Sequence, residues 1–354
     1  MTRSRRAYPL IALLLVALAS GAAGLGCSGC RKTGAEEPPQ VIDLSGAVTH
    51  EAFGSQAILD SCWSADELGG TPADRIVVRR PGRPFPFTPA HATPRHANSP
   101  LPRELRGSIR SVRPAGGRKL VALTFDLCEP AGETTGYDFE VVDILRANRV
   151  RATFFMGGKW MVSHRERALQ LIADPLFEVG NHSWTHLDDA RISGARLRDQ
   201  ILWTQAEYES LRDELAARPC AARLPAQEMA RIPETPRLYR FPYGDCDAED
   251  LRLLASYGLA AVQWDVVTGD PARGQTAERI ESIVLRGVRP GSIVIGHANA
   301  LGRHTAEALP RIIRRLAEQG YEFATVSELL QSGPAVVKSE CYQDRPGDLR
   351  TVRR

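Results

Sequence analysis

The sequence has almost no net charge. Its 45 Lys and Arg residues nearly balance 42 Asp and Glu residues, which gives a formal charge of +3 at pH 7. A protein that binds nucleic acid usually concentrates basic residues on one face, whereas here they are scattered along the chain. We therefore set aside nucleic acid as a partner.

Two sequence patterns are also missing. No internal repeat is present, which argues against a solenoid. No Gly-x-Ser-x-Gly motif is present, so the chain lacks a serine nucleophile of the elbow type.

The composition of 43% hydrophobic and 25% charged residues excludes wholesale disorder. The length of 354 residues fits one large domain with an extension, or two domains.

The N-terminus lacks an apolar run long enough for a comfortable membrane span. Residues 1–6 are basic, residues 10–19 are apolar and residues 20–26 are rich in small side chains. This layout predicts a signal peptide over residues 1–26, with a transmembrane anchor as the alternative. Cys27 follows Gly-Leu-Gly, as in bacterial lipoproteins. We expect export, either to the cell envelope through a lipid anchor on Cys27 or as a secreted protein.

An exported chain can form disulfides. It has seven cysteines, and they allow too many pairings for the sequence to decide among them. Cys128 and Cys246 both lie within the motifs described below. We expect these two to pair, and two buried unpaired thiols are the alternative.

Three segments follow the predicted signal peptide. Residues 27–116 are rich in proline and predict a linker and an extended N-terminal segment, and residues 333–354 form a C-terminal tail. Between them, in residues 117–332, apolar runs alternate with amphipathic segments, which predicts βα units around a parallel sheet. The predicted strands are 120–125, 152–156, 177–179, 238–241, 260–264, 292–295 and 322–324. The predicted helices are 137–147, 159–172, 195–215, 247–256, 276–285 and 305–319.

Polar side chains follow many of these strands. Since the carboxyl ends of parallel strands meet at one edge, these side chains are expected to converge there. His182 and His186 lie four residues apart, a spacing that points two imidazoles at one metal ion, although two surface histidines could share it. The residues concerned are Asp126, His182, His186, Arg240, Tyr243, Asp270 and His297.

The order of five motifs within residues 119–331 resembles the polysaccharide deacetylase family, carbohydrate esterase family 4. This family includes chitooligosaccharide and peptidoglycan deacetylases. The resemblance implies an α/β fold, an irregular (β/α) barrel with about seven strands, and metal-dependent removal of acetyl groups from N-acetylated sugars. The motifs are Thr124-Phe125-Asp126, Asn181 to His186, Arg240 to Gly244, Trp264 to Asp270 and Ile295-Gly296-His297.

The resemblance also implies roles for single residues. Asp126 matches the general base, and Arg240 matches the residue that orients it. His182 and His186 match two metal ligands.

The remaining matches concern the acid and the oxyanion. His297 matches the general acid, and Asp270 lies where the family tunes that histidine. Tyr243 would contribute its backbone N–H to the oxyanion hole. Trp184, Pro242 and Trp264 are expected to bind substrate, and packing is the alternative for Trp184.

The sequence departs from the family at the third metal ligand. The family has a second Asp directly after its base, whereas this chain has Leu127, which cannot bind a metal. We favour Glu129 as the replacement, if the loop bulges, with the thiolate of Cys128 as the alternative. Otherwise the metal site is weak or lost. The cofactor is expected to be a divalent metal, zinc in the first place, with cobalt or another ion also compatible.

The leading hypothesis is a monomeric, metal-dependent hydrolase that removes N-acetyl groups from cell-envelope or extracellular glycan. Two alternatives stay open. One is a hydrolase of another acyl-amine or amide on the same barrel. The other is an inactive, carbohydrate-binding relative.

Overall fold

The structure is a computed structural model that describes residues 40–42, 53–80, 89, 92–101 and 103–342. The chain divides into two units, Met1–Pro38 and Pro39–Arg354, and all described residues belong to the second. The predicted signal peptide and Cys27 lie outside the described residues, as does the end of the predicted C-terminal tail.

Strands and helices alternate along most of the described chain. The strands are β1 Gln40–Ile42, β2 Val78–Arg79, β3 Ser108–Val112, β4 Leu120–Leu127, β5 Glu133–Thr134, β6 Ala152–Met156, β7 Phe177–Asn181, β8 Leu238–Tyr239, β9 Ala260–Val262, β10 Val266–Val267, β11 Ser292–His297, β12 Glu322–Phe323 and β13 Ala335–Lys338. The helices are α1 Gln56–Cys62, α2 Ala65–Leu68, α3 Phe139–Ala147, α4 Gly158–Ser163, α5 Arg165–Ala173, α6 Gly194–Ala217, α7 Pro219–Ala222, α8 Ala226–Ala230, α9 Ala248–Ser256, α10 Ala277–Gly287, α11 Thr305–Glu318 and α12 Val326–Gln331.

Seven strands close into a barrel, in the order β3-β9-β8-β7-β6-β4-β11. The ring closes where Ser111 of β3 pairs with Ser292 of β11. The strands from β9 through β11 in this ring run parallel, so their carboxyl ends lie at one rim. The predicted irregular (β/α) barrel is confirmed.

The strand β4 shows how the barrel separates two cores. Every residue of β4 is buried, as expected for a parallel strand covered on both faces. Successive side chains point to opposite faces of a strand. Odd-numbered residues pack outward against helices such as α3 and α11, and even-numbered residues begin the barrel interior. The outward set is Val121, Leu123, Phe125 and Leu127; the inward set starts with Leu120 and Ala122.

The predicted elements mostly appear at the predicted places, and three of the differences bear on the fold. The predicted helix 159–172 is interrupted at His164, which separates α4 from α5. The strand β3 lies in the segment predicted to be a linker and extended segment. The strand β13 lies in the predicted C-terminal tail and pairs with β3. The sheet therefore extends beyond residues 117–332 on both sides.

Two disulfides link distant parts of the described chain. They join Cys62 to Cys220 and Cys246 to Cys341, and Cys128 is a buried free thiol. The predicted Cys128–Cys246 pair is therefore wrong. Cys246 packs in a hydrophobic cluster with Cys341, whereas the Cys128 side chain faces the two motif histidines.

None of the helices in the described part of the chain combines the length and the apolar character that crossing a bilayer requires.

Candidate active site

The predicted catalytic residues meet at the carboxyl rim of the barrel. Asp126 and His297 are direct partners in the register of the adjacent strands β4 and β11. His182 follows β7, and Arg240 follows β8, which is the neighbour of β7. Residues that are up to 171 positions apart in sequence, as 297 − 126 shows, thus share one site.

Asp126 is an ionised carboxylate in a buried position. Its Oδ1 accepts a hydrogen bond of 2.8 Å from Arg240 Nη1, and its Oδ2 lies 3.5 Å from His182 Nε2. Burial alone would raise the pKa of Asp126, but Arg240 and the nearby His182 and His297 hold that pKa below its usual value. The carboxylate can therefore accept a proton from an attacking water near neutral pH.

Arg240 is held rigidly. It is fully buried, and its guanidinium carbon lies 4.0 Å from the centre of the Phe155 ring. It also donates to the backbone oxygens of Val262 and Gln263. With its donors fixed on the barrel, the guanidinium positions Asp126 rather than moving with it.

The two motif histidines lie side by side, and one of them presents a buried nitrogen without a partner. His182 Nδ1 lies 2.9 Å from the Arg240 carbonyl oxygen, which can only accept, so Nδ1 carries the proton. The Nε2 atom of His182 is then a lone-pair donor, and it is buried with no hydrogen-bond partner. The His186 ring lies 5.0 Å from the His182 ring. Burial lowers the pKa of both histidines, which keeps them in the neutral form that binds metal.

The loop that carries these histidines is tightly pinned. Ser183 and His186 adopt positive φ angles of 67° and 54°, which non-glycine residues rarely do. The Asn181 side chain accepts from the Ser183 N–H, and Gln200 of α6 accepts from both Ser183 Oγ and the Thr185 N–H. Backbone conformations of this kind persist at functional sites when surrounding bonds enforce them.

His297 is arranged as an acid. Its Nδ1 lies 2.9 Å from Asp270 Oδ1, and the other carboxylate oxygen accepts from the His297 N–H and from Thr305 Oγ1. Burial would lower the pKa of His297, but the Asp270 carboxylate raises it above its usual value. The imidazolium form is thereby favoured near neutral pH.

Tyr243 lies at the tip of a strained turn. Its φ of 59° is left-handed, and its side chain is half exposed with the ring 4.5 Å from that of His186. The next residue, Gly244, also has positive φ, and a Cβ there would come within 2.7 Å of the Tyr342 carbonyl oxygen. The turn can therefore present the Tyr243 backbone at the rim only with glycine after it.

The structure does not bring Glu129 to the histidines, although the sequence favoured it as a metal ligand. Its carboxylate is buried against Lys159 Nζ and Ser163 Oγ, and it accepts from the Thr135 N–H. Three donors, one of them the cation Lys159, hold this carboxylate away from the two histidines. A charged pair buried in this way is costly to separate.

Cys128 occupies the position near the histidines instead. Its Sγ and the ligand nitrogens of His182 and His186 lie within 4.8 Å of one another. Burial raises the pKa of this thiol in the metal-free protein. Cys128 directly follows Leu127, the last residue of β4.

The residues predicted to bind substrate are buried. Trp184 is 2% exposed and packs edge-on against Trp203, an arrangement that fits the packing alternative. Pro242 is buried beneath the turn, and Trp264 is 5% exposed beside Arg240. Of this turn, the Tyr243 side chain is the part that faces solvent.

Comparison with known proteins shows the family to which the chain belongs. The family model for polysaccharide deacetylase matches residues 113–231. A chitooligosaccharide deacetylase from Bradyrhizobium sp. (strain ANU 289) is 31% identical over 237 residues, which cover 62% of this chain and 94% of that protein. The chain belongs to the polysaccharide deacetylase family. Relatives in this family are named deacetylases, which are hydrolases that act on carbon–nitrogen bonds other than peptide bonds.

Two further polysaccharide deacetylase relatives are informative. The peptidoglycan-N-acetylglucosamine deacetylase of Listeria monocytogenes is 29% identical over 75% of this chain, which spans about half, 51%, of that enzyme. A CE4 family pseudoenzyme from Bacillus anthracis has a similar structure, with a TM-score of 0.52 and 27% identity over 64% of this chain and 69% of that one. A mutant of that pseudoenzyme is described as having restored enzymatic activity, with 28% identity over 64% of this chain and 71% of that one, and the same TM-score.

Proposed function

We propose that the protein is an exported, metal-dependent hydrolase that removes N-acetyl groups from cell-envelope or extracellular glycan. One observation carries this proposal. The ends of the adjacent strands β4 and β11 place Asp126, whose pKa is lowered, opposite His297, whose pKa is raised. A site that only binds sugar needs no base and acid of this kind. The family relationship supports an amide-type acetyl substrate, and the two disulfides support export.

The proposed reaction assigns one task to each residue. Asp126 takes the proton from the water that attacks the acetyl carbon, while the hydrogen bond from Arg240 holds the carboxylate in position. The Tyr243 backbone N–H donates to the oxygen that becomes negative. His297, charged and held by Asp270, gives its proton to the departing sugar amine.

The metal requirement rests on the donor set. The buried Nε2 of His182 has no hydrogen-bond partner, and the neutral His186 lies beside it, so two ligands fit a divalent ion. Such an ion would act as a Lewis acid toward the acetyl carbonyl and the attacking water. We propose zinc as the physiological ion.

The test is acetate release from N-acetylglucosamine oligomers by the full chain, loaded with zinc or stripped with a chelator. We expect metal-dependent release that falls about 10²- to 10⁴-fold in Asp126→Asn, because the base is lost. Asp66→Asn, a matched change in an exposed carboxylate of α2, should leave the rate unchanged.

Two other outcomes identify the alternatives. Zinc binding without acetate release would indicate a different acyl-amine or amide substrate. Absence of both zinc binding and release would favour a carbohydrate-binding pseudoenzyme, which the buried Leu127 and the pseudoenzyme neighbour make a specific alternative. Release that survives in Asp126→Asn would contradict the role of the base.

A further inference from the structure

We propose that Cys128 is the third protein ligand of the metal, so that this chain has a Cys-His-His centre. The Sγ atom and the free nitrogens of His182 and His186 lie within 4.8 Å of one another, close enough for one ion to touch all three after small side-chain adjustments. The inference deepens the proposed function and depends on it only for the presence of a metal.

Strand geometry explains why the ligand moved by one residue. Leu127 is fully buried in the cluster between β4 and the outer helices, so its side chain offers nothing to a metal at the rim. Cys128 comes directly after the end of β4, and its Sγ lies beside the two histidines. The family pattern has two adjacent Asp residues at this point. This chain instead has Asp126 and Cys128, with the apolar Leu127 between them.

The sulfur is held in place by a buried donor. Asn299 Nδ2 lies 3.2 Å from Cys128 Sγ and 3.0 Å from the Cys128 carbonyl oxygen, and Asn299 is fully buried. Amide donors of this kind orient metal ligands and stabilise their charge. The described cysteines other than Cys128 are all in disulfides, so this one alone is kept as a thiol.

The carboxylates nearby are already engaged. Glu129 is paired with Lys159, and Asp126 Oδ1 is paired with Arg240. Using Glu129 as the third ligand would break a buried ion pair, which is strongly destabilising. The second oxygen of Asp126 is the one assigned to the proposed base, so it is already committed to the reaction. Cys128 can bind a metal without breaking an ion pair.

The chemistry of the donor set then fixes the class of metal. A thiolate carries the same single negative charge as a carboxylate, so the formal charge of the centre is conserved. It is a softer ligand, and together with two imidazoles it favours zinc or cobalt over magnesium or manganese. Catalytic zinc sites with two cysteines and one histidine show that an open zinc site is compatible with thiolate ligands.

The test is X-ray absorption at the zinc edge on the full chain. Cys27→Ser and Cys30→Ser should be present in the parent, so that Cys128 is the free thiol that can contribute. We expect one sulfur at about 2.3 Å from zinc, along with nitrogen or oxygen at about 2.0–2.1 Å. In Cys128→Ser the sulfur should vanish and zinc affinity should fall more than about 100-fold.

A carboxylate variant and cobalt substitution complete the design. Cys128→Asp should retain zinc through oxygen and nitrogen alone, which separates loss of sulfur from loss of folding. Cobalt bound to the parent should show a sulfur-to-cobalt charge-transfer band that both variants lack. Stoichiometric zinc with no sulfur neighbour would overturn the proposal, as would a parent that binds no zinc. Acetate release is not part of this readout, so the ligand proposal and the proposed function can fail separately.

Discussion

Asp126 and Asp270 are both buried carboxylates at the site, and they have different tasks because of what faces them. Asp126 faces a guanidinium on one side and the space between the two histidines on the other. Both carboxylate oxygens of Asp270 are already in hydrogen bonds, with His297 and Thr305. The first carboxylate is free to take a proton at its second oxygen, and the other is fixed as the support of an imidazolium.

This difference leads to a prediction for Asp270→Asn. The Asp270 carboxylate raises the pKa of His297, and the acid is active only below that pKa. Without the carboxylate, burial lowers the pKa, so the basic limb of the pH profile should move to lower pH. We expect kcat/KM near neutral pH to fall about 10²- to 10⁴-fold. Thr305→Val, which removes a hydrogen bond but no charge, should leave the basic limb in place. A basic limb that does not move in Asp270→Asn would refute the coupling.

The site was largely predictable at the level of residues. Asp126, Arg240 and the two histidines could be recognised because their motifs are local in sequence. The third ligand could not, because the choice between Glu129 and Cys128 depends on contacts that the sequence does not reveal. Lys159 lies 30 residues after Glu129, and only the fold shows that the two side chains form an ion pair.

At the level of elements, a buried glutamate joins the barrel floor to α12. Glu178 lies in β7, and its carboxylate accepts from Ser327 Oγ, from the Ser327 N–H at 3.1 Å and from Thr153 Oγ1 at 2.9 Å. Burial raises its pKa from 4.5 to about 7 despite these bonds. The helix N-terminus is thus tied to the sheet by a group that titrates near neutral pH.

The raised pKa predicts a pH dependence of stability. The folded state binds the Glu178 proton more tightly than the unfolded state does, so this contribution is complete below pH 4.5. It is lost as the pH rises through about 7. A rise of this size corresponds to about 3 kcal/mol in the free energy of unfolding. Glu178→Gln should flatten this part of the profile in urea titrations, whereas Glu322→Gln, at an exposed strand residue, should keep the wild-type slope. Parallel profiles for Glu178→Gln and the parent would contradict the assignment.

The elements themselves were predicted unevenly, for a physical reason. Strands such as β4 and β6 are continuous apolar runs, and their sequence alone identifies them. The strand β3 was missed because it reads Ser-Ile-Arg-Ser-Val and follows a proline-rich stretch. Its Arg110 is buried because Gln263 accepts a hydrogen bond from it and its guanidinium lies 3.4 Å from the centre of the Tyr342 ring. Those partners come from distant parts of the chain.

At the scale of the whole molecule, the C-terminal end of the described chain packs against the barrel and its rim. The strand β13 pairs with β3, and the chain then runs to Cys341, which is bonded to Cys246 just after the Tyr243 turn. The Tyr342 hydroxyl donates to the Trp264 backbone oxygen at 3.0 Å. The predicted C-terminal tail is therefore part of the support of the active-site rim. The other disulfide, Cys62–Cys220, joins α1 to α7 on the outer helical layer.

The two disulfides should consequently differ in their effects. Each closes a long loop, with sequence separations of 158 and 95, so removing either should cost roughly 4–5 kcal/mol of stability in the loop-entropy description. Cys62→Ser with Cys220→Ser should lower the Tm but leave kcat/KM unchanged at temperatures where the protein stays folded. Cys246→Ser with Cys341→Ser should lower both, because the strained Tyr243 turn loses the segment that packs against Gly244. Thermal melts and acetate release on the two double variants make the comparison. Equal kcat/KM values in both would show that the rim holds its shape without the C-terminal segment.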